Sequence, residues 1–241
     1  MKYALVTGST KGIGRAIAEK LLANDYFVFL NYANDDKAGA AINQMFKDRY
    51  QNKFSLIKAD LSNFEGLHLL TESIKSITNQ LDCVVLNVGI IDRSTLNEIT
   101  PDIWNKVMNT NVTIPFFLAK NIRPLMQKGG SILFMSSYVG TLPHSISAAY
   151  GISKAAVSHM AKSLVKEFAA YQVTVNAVSP GFVETDMQKN IPNSIRKSKE
   201  SKVALGRFAE AEEIAELCYH MLHNQYINGA VYHIDGGYSY K

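Results

Sequence analysis

Short runs of apolar, mostly β-branched or aromatic residues alternate along the chain with longer segments whose apolar positions recur at helical spacing. The short runs predict strands over residues 3–7, 27–32, 53–59, 82–86, 131–136, 174–178 and 230–234. The periodic segments predict helices over 12–24, 36–50, 64–78, 101–127, 153–171 and 211–223. Strands that are apolar throughout, instead of alternating, belong to a sheet covered on both faces. A repeated strand-then-helix order calls for right-handed crossovers between parallel strands. The expected fold class is α/β: a doubly wound parallel sheet of about seven strands with helices on both faces. No linker, repeat or low-complexity tract divides the chain, so 1–241 reads as one domain. Residues 182–205 break the rhythm, being long, polar and rich in Lys, Arg, Asn and Ser. In a compact domain such a stretch is expected to be a lid or binding loop.

Composition then removes several classes. With 47% hydrophobic and 19% charged residues, the 241-residue chain is an ordinary globular one. Its formal charge of +4 is too mild to imply nucleic acid as a partner. No apolar run approaches the roughly 18 residues needed to span a bilayer, so no membrane partner is expected. A strand-like stretch begins at Tyr3 and leaves no room for a signal peptide. Cys83 and Cys218 lie far apart in apolar contexts, which predicts small buried hydrophobes and a reducing cytoplasm.

The first candidate chemistry follows the first strand, in Thr7-Gly8-Ser9-Thr10-Lys11-Gly12-Ile13-Gly14. Glycines there let the backbone turn tightly and approach a pyrophosphate at a helix N-terminus, while Gly14 permits close helix–strand packing. This placement makes the sheet Rossmann-type and the turn a dinucleotide site. An acid ending the second strand would bind the adenosine ribose and select NAD. Here that strand ends Asn31-Tyr32-Ala33-Asn34, and Lys11 is available to an additional phosphate, so NADP(H) is preferred. Asp35 and Asp36 follow at once and keep NAD(H) open.

The second is Tyr150 and Lys154, four positions apart and on one face of a helical segment. A phenol with an ordinary pKa of about 10 is a poor acid at neutral pH. An adjacent ammonium favours phenolate and is expected to bring that value toward the working range. Ser136 and Ser137 close a strand at the same sheet edge as the glycine turn. Asn87-Val88-Gly89 ends the fourth strand and Asn111 lies in a helix.

Together, Thr7-Gly8, Gly12-Ile13-Gly14, Asp60-Leu61, Asn87-Val88-Gly89, Asn111, Ser137, Tyr150, Lys154 and Pro180-Gly181 resemble the short-chain dehydrogenase/reductase family over essentially the whole chain. The resemblance implies that Tyr150 exchanges a proton with the substrate oxygen and that Ser137 hydrogen-bonds it. It also implies that Lys154 lowers the tyrosine pKa and binds the nicotinamide ribose, and that Asn111 holds a relay water. Gly8, Thr10, Lys11, Gly12, Ile13, Gly14, Asn31, Asp60, Leu61, Asn87 and Gly89 would hold the cofactor, with Tyr150 and Lys154. Pro180, Gly181, Val183 and Thr185 would complete its site. The family's Asn-Asn-Ala-Gly reads Leu86-Asn87-Val88-Gly89 here, a departure that removes no catalytic group. No metal is implied, and His220 and His223 read as helix-end residues.

Pro180-Gly181-Phe182-Val183-Glu184-Thr185-Asp186-Met187, Leu205-Gly206-Arg207-Phe208 and Ile234-Asp235-Gly236-Gly237 look like bacterial β-ketoacyl-acyl-carrier-protein reductases. That similarity implies NADPH-dependent reduction of a 3-oxoacyl thioester in fatty acid synthesis. Lys189, Arg196, Lys197, Lys199 and Lys202, set against Glu200, would make the lid basic enough for an acidic carrier protein or a phosphorylated arm. Lys128 keeps a docking charge that Tyr171 lacks, and His144 is a candidate pocket residue. Broad apolar arcs on 112–126 and 153–171 predict helices covered by the sheet on one side and another subunit on the other, and the resemblance implies a homotetramer or dimer. The competing expectations are a sugar, polyol or small-ketone dehydrogenase and, from another class, a non-catalytic dinucleotide sensor.

Overall fold

In the computed structural model, which describes residues 1–142, 148–185 and 191–240, strand and helix alternate from the start. The succession is β1 (Lys2–Val6), α1 (Gly12–Ala23), β2 (Tyr26–Tyr32), α2 (Asp36–Tyr50), β3 (Phe54–Lys58), α3 (Phe64–Lys75), β4 (Leu81–Leu86), α4 (Pro101–Met108), α5 (Ile114–Ile122), β5 (Met126–Met135), α6 (Ala148–Ala169), β6 (Thr174–Pro180), α7 (Asn193–Glu200), α8 (Ala211–His223) and β7 (Val231–Ile234). The strands form one sheet in the order β3-β2-β1-β4-β5-β6-β7, with every pairing parallel. This is the expected doubly wound sheet. Its order reverses between β1 and β4, and ligands of such sheets bind outside the carboxyl ends of the strands at that switch.

Neighbouring residues of β1 show how the layers arise. Leu5 joins Phe29, Val84 and Phe134 under α3, α5 and α6, whereas Ala4 joins Val28, Leu30 and Val85 under α1, α2 and α8. A strand alternates its side chains, so a sheet with two covered faces needs both positions apolar. Side chains cap three of the helices: Asp35 accepts from the Ala38 N–H, Asn63 from Gly66 and Thr100 from Ile103.

Three boundaries differ from the periodicity. The stretch 101–127 is not one helix, because a π-helical turn over Asn109–Thr113 separates α4 from α5. Pro115 has no N–H to give the Asn111 carbonyl, so the ladder is broken there and a wider turn takes over. A short 3₁₀ turn, Arg123–Leu125, then carries the chain into β5 five residues before the expected strand start. The helix expected from residue 153 begins at Ala148, which brings Tyr150 into its first turn. The polar stretch 182–205 contains α7, a helix with no buried residue. His144, Asp186, Met187 and Lys189 lie outside the described residues.

Among the described residues no helix is long and apolar enough to cross a membrane. Both thiols are unpaired and buried, and burial pushes Cys83 up to about 12 and Cys218 well above the usual thiol range.

Candidate functional site

A cavity of about 780 Å³ opens at the carboxyl edge of the sheet. Every residue assigned above to cofactor or chemistry lines it, except Gly14 and Asn111, which stand behind its wall. The glycine turn forms one end. Gly8 has φ +61°, a conformation strained for other residues, and a β-carbon on Gly14 would lie 2.3 Å from the Gly8 carbonyl oxygen. The N-cap of α1, Lys11, makes no side-chain cap bond, and the first turn carries no acid. The leading N–H groups therefore lack a side-chain acceptor and the helix end favours an anion.

Two asparagines brace this turn. Asn87 Nδ2 donates to the Thr7 and Gly8 carbonyls at 3.0 and 3.1 Å. Asn31 accepts from the Gly8 N–H at 3.3 Å and donates to the Ala59 carbonyl at 2.9 Å. Buried at 1% exposure, Asn31 thus holds the backbone that would meet a dinucleotide, and its amide is engaged within the protein. At the same end, Lys11 forms an ion pair with Asp35, which also caps α2, and Lys58 pairs with Asp36 at 2.7 Å. The acid following β2 and the lysine of the glycine turn are therefore bound to each other. Asp60 accepts from the Ser62 N–H at 2.9 Å, and Leu61 beside it is buried.

The proton-transfer residues meet between β5 and α6. Lys154 is 4% exposed, and its Nζ donates to the Met135 carbonyl at 2.7 Å. Desolvation lowers its ammonium to about 8. The same Nζ lies 5.7 Å from the centroid of the Tyr150 ring. The expected lowering of the phenol by this ammonium is not what governs Tyr150. Burial dominates and raises it, while the Ser137 hydroxyl and the Arg93 charge pull it down. Burial thus keeps the proton on Tyr150 and makes the phenol a weaker acid.

Asn111 sits in the π-helical turn, 1% exposed. Its Oδ1 accepts from the Ile90 N–H at 2.8 Å, and its Nδ2 donates to the Ile90 carbonyl and the Ser153 hydroxyl, both at 2.9 Å. Ser153 in turn donates to the Tyr150 carbonyl at 2.7 Å. Asn111 therefore ties the loop after β4 to the first turns of α6. Ser136 and Ser137 both line the cavity, but Ser136 uses its hydroxyl on the Lys154 carbonyl at 2.9 Å and on Ser158, whereas the Ser137 hydroxyl meets Tyr150.

The polar stretch is less basic than its composition implies. Arg196 grips both carboxylate oxygens of Glu184, reaches Glu200 through Nε at 2.8 Å, and stacks 4.8 Å over the Phe208 ring. Among its described cations only Lys199 lines the cavity, its Nζ 5.2 Å over the Phe182 ring. Arg93, also on the lining, had no signal beyond its place in the loop after β4 at the ligand-binding edge. Ser153, the link between Asn111 and Tyr150, had none. His223 donates Nδ1–H to the Tyr219 carbonyl and takes the Tyr26 hydroxyl on Nε2, both structural contacts.

A sequence profile described as enoyl-(acyl carrier protein) reductase matches residues 8–239. The chain belongs to the short-chain dehydrogenase/reductase family. Over 242 residues it is 34% identical to the 3-oxoacyl-(acyl-carrier-protein) reductase FabG of Aquifex aeolicus, covering 98% of this chain and 96% of that one. It is 35% identical to the FabG of Haemophilus influenzae over 240 residues, covering 98% and 97%. Among solved structures, the angucycline C-6 ketoreductase LanV with bound NADP superposes with a TM-score of 0.92 at 28% identity, over 98% of this chain and 95% of that one. This short-chain dehydrogenase/reductase is thus a nicotinamide-dependent oxidoreductase acting on carbonyl or hydroxyl groups.

Proposed function

We propose that this short-chain dehydrogenase/reductase uses NADPH to reduce the 3-oxo group of an acyl thioester carried on an acyl carrier protein. The observation that carries the reading is one cavity that holds Ser137, Tyr150 and Lys154 at one end and the uncapped glycine turn at the other. The residues present fit a dinucleotide: Gly8 and Gly12 line the cavity with bare backbone beside the uncapped N-terminus of α1, and Gly14 lets that helix end pack against Gly8. Gly8, Thr10, Lys11, Gly12 and Ile13 would hold the pyrophosphate and ribose end. Asp60 and Leu61 would hold the adenine, and Gly89, Pro180, Gly181, Val183 and Thr185 the nicotinamide end. When bound, the nicotinamide supplies the hydride.

The chain's own part is orientation and the proton. Ser137 and Tyr150 hydroxyls receive the substrate oxygen, so charge developing there meets two fixed donors. Tyr150 Oη gives its proton to that oxygen, and Lys154 stabilises the phenolate left behind. Asn111 acts through Ile90 and Ser153 and is a positioning residue. The curated relatives support the thioester. So does Arg123, whose guanidinium lies 5.4 Å over the Tyr171 ring and 3.9 Å from Glu167, and supplies a cation where Tyr171 has none. Segment 182–205 is the lid of this site. The reading includes a homotetramer or dimer, supported by Phe116 on α5 and Ile152 on α6, apolar side chains that are 39% and 49% exposed.

NADPH and NADH consumption with 3-oxobutanoyl carrier protein and 3-oxobutanoyl coenzyme A tests the reading, with Tyr150→Phe as control. Turnover with NADPH should fall on the order of 10²–10⁴-fold in the variant while NADPH binding persists. Tight NADPH binding with no turnover of either thioester would reject the substrate class.

A further inference from the structure

Three rings from three separate segments pack on one another beside the Ser137 end of the cavity. Tyr138 follows Ser137 just after β5, Phe182 follows Gly181 just after β6, and Tyr238 lies in the turn beyond β7. Ring centroids are 4.6 Å apart for Tyr138 and Tyr238, 5.5 Å for Tyr138 and Phe182, and 5.4 Å for Phe182 and Tyr238. All three pairs are tilted or edge-to-face, the arrangements aromatic rings favour. Tyr138 and Phe182 line the cavity, whereas Tyr238 does not and supports both from outside it.

The turn that carries Tyr138 is held on two sides. A β-carbon on Gly140 would lie 2.7 Å from the Lys154 carbonyl carbon, so one side rests on α6. The other side meets the protein through the Tyr138 ring, which is 5% exposed. Tyr238 belongs to a braced turn of its own. Asp235 accepts from the Gly237 and Ser239 N–H groups, both at 3.0 Å, and Gly236 and Gly237 take φ +62° and +81°. The Gly236 carbonyl accepts from the Leu205 N–H at 3.1 Å, and a β-carbon on Gly237 would lie 2.8 Å from that of Ala204. The polar stretch 182–205 therefore meets this turn at both ends, through Phe182 where it starts and through Ala204 and Leu205 where it stops.

We propose that Tyr238 is a positioning residue for the substrate: its ring holds Tyr138 and Phe182 in place as one wall of the cavity and ties both roots of the lid to that wall. The inference rests on the carbonyl-reduction reading above and adds to it a residue outside the cavity. Because α6 still supports the Tyr138 turn from its other side, Tyr238 governs how substrate is held more than the chemical step or the cofactor.

Steady-state kinetics with the thioesters named above, and fluorescence titration with NADPH, test this on the full-length protein. In Tyr238→Ala, KM should rise about tenfold, the scale of losing two ring pairs, with kcat within about threefold and NADPH affinity within about twofold of the parent. Tyr238→Phe keeps the ring and should restore KM. Tyr240→Ala alters a side chain that is 94% exposed and should leave it unchanged. Tyr238→Leu, which keeps apolar bulk, carries the same signs if the alanine variant does not fold. Hydrogen exchange gives a readout that needs no substrate. The Thr141 amide, bonded to the Tyr138 carbonyl at 2.9 Å, and the Leu205 amide should quicken by about tenfold without the ring, with β1 and β4 unaffected. An unchanged KM, a loss carried by kcat, NADPH binding that weakens in step with KM, or a phenylalanine variant that behaves like alanine overturns the proposal. A protein that reduces none of the thioesters refutes the reduction reading, and exchange then decides the clamp alone: quickening at 141 and 205 upholds it and unchanged rates reject it.

Discussion

A β-carbon on Gly89 would lie 3.1 Å from Lys154 Nζ and 3.4 Å from Asn111 Oδ1, so the bare backbone at the end of β4 is the space into which the ammonium fits. The ammonium is held on its other side by the Met135 carbonyl at 2.7 Å. Glycine here is needed for room, not for an unusual backbone angle.

Gly89→Ala should therefore act on chemistry more than on folding. The added methyl pushes a buried ammonium whose retreat is blocked by its own hydrogen bond. Small misplacements in an active site cost on the order of 10²-fold in rate. We expect kcat to fall by about 10- to 100-fold while the thermal midpoint moves by only about 2–4 °C, as for a change near 1 kcal/mol in a chain of this size. A kcat within twofold of the parent would show that Lys154 can sit elsewhere without loss.

Lys154 links function to stability. Its ammonium titrates near 8 in the folded protein, against 10.5 ordinarily. Below pH 8 both folded and unfolded chains carry the charge, and burying it costs the folded state on the order of 3 kcal/mol. Between 8 and 10.5 the unfolded chain holds more protons, so stability rises with pH across that window. Lys154→Met should be more stable than the parent at pH 7, less whatever the Met135 carbonyl loses with its donor. The advantage should shrink toward pH 10.5, and activity should vanish. Denaturant titrations of both proteins at pH 7 and 10 measure the difference; an advantage that grows with pH would contradict this sign.

The Lys11–Asp35 pair sets a competition at the adenosine end. An additional phosphate entering there must draw Lys11 from its carboxylate partner. Asp35→Asn keeps a good cap for α2 while removing the competing charge. It should tighten NADPH about two- to fivefold, the scale of an exposed ion pair, and leave NADH unchanged or weaker. Lys11→Ala should weaken NADPH and spare NADH. Fluorescence titrations with both cofactors decide it, and equal effects on the two would remove Lys11 from cofactor choice.

Arg196 is expected to hold the lid helix in place. No residue of α7 is buried, and Arg196 anchors it to the rest of the chain through Glu184 and by stacking against Phe208, its bond to Glu200 lying within the helix. Arg196→Ala should remove about 1–2 kcal/mol of local anchoring. Hydrogen exchange of 193–200 should quicken by about tenfold, with the core strands unaffected. Unchanged exchange in α7 would mean that other contacts hold it.

The sheet and half of the site were legible along the chain because local rules specify them. Continuous apolar runs such as 83–86, too short for a helix, read as strands covered on both sides, and a four-residue spacing places Tyr150 and Lys154 on one helical face wherever that helix goes. The glycines at 8 and 14 report a turn that no other residue fits. Even the break at Asn109–Thr113 was implicit in Pro115, though helical periodicity hid it. Other features were not encoded locally. Arg196 is neutralised by Glu184, twelve residues away, and Lys11 is tied to Asp35 across twenty-four. Asn111 reaches Tyr150 only through Ser153, forty-two positions distant. Periodicity tells which way a side chain faces within its own element. Which side chains then meet, and so which charges cancel and which remain for a ligand, depends on the strand order and crossovers that bring distant elements to one sheet edge.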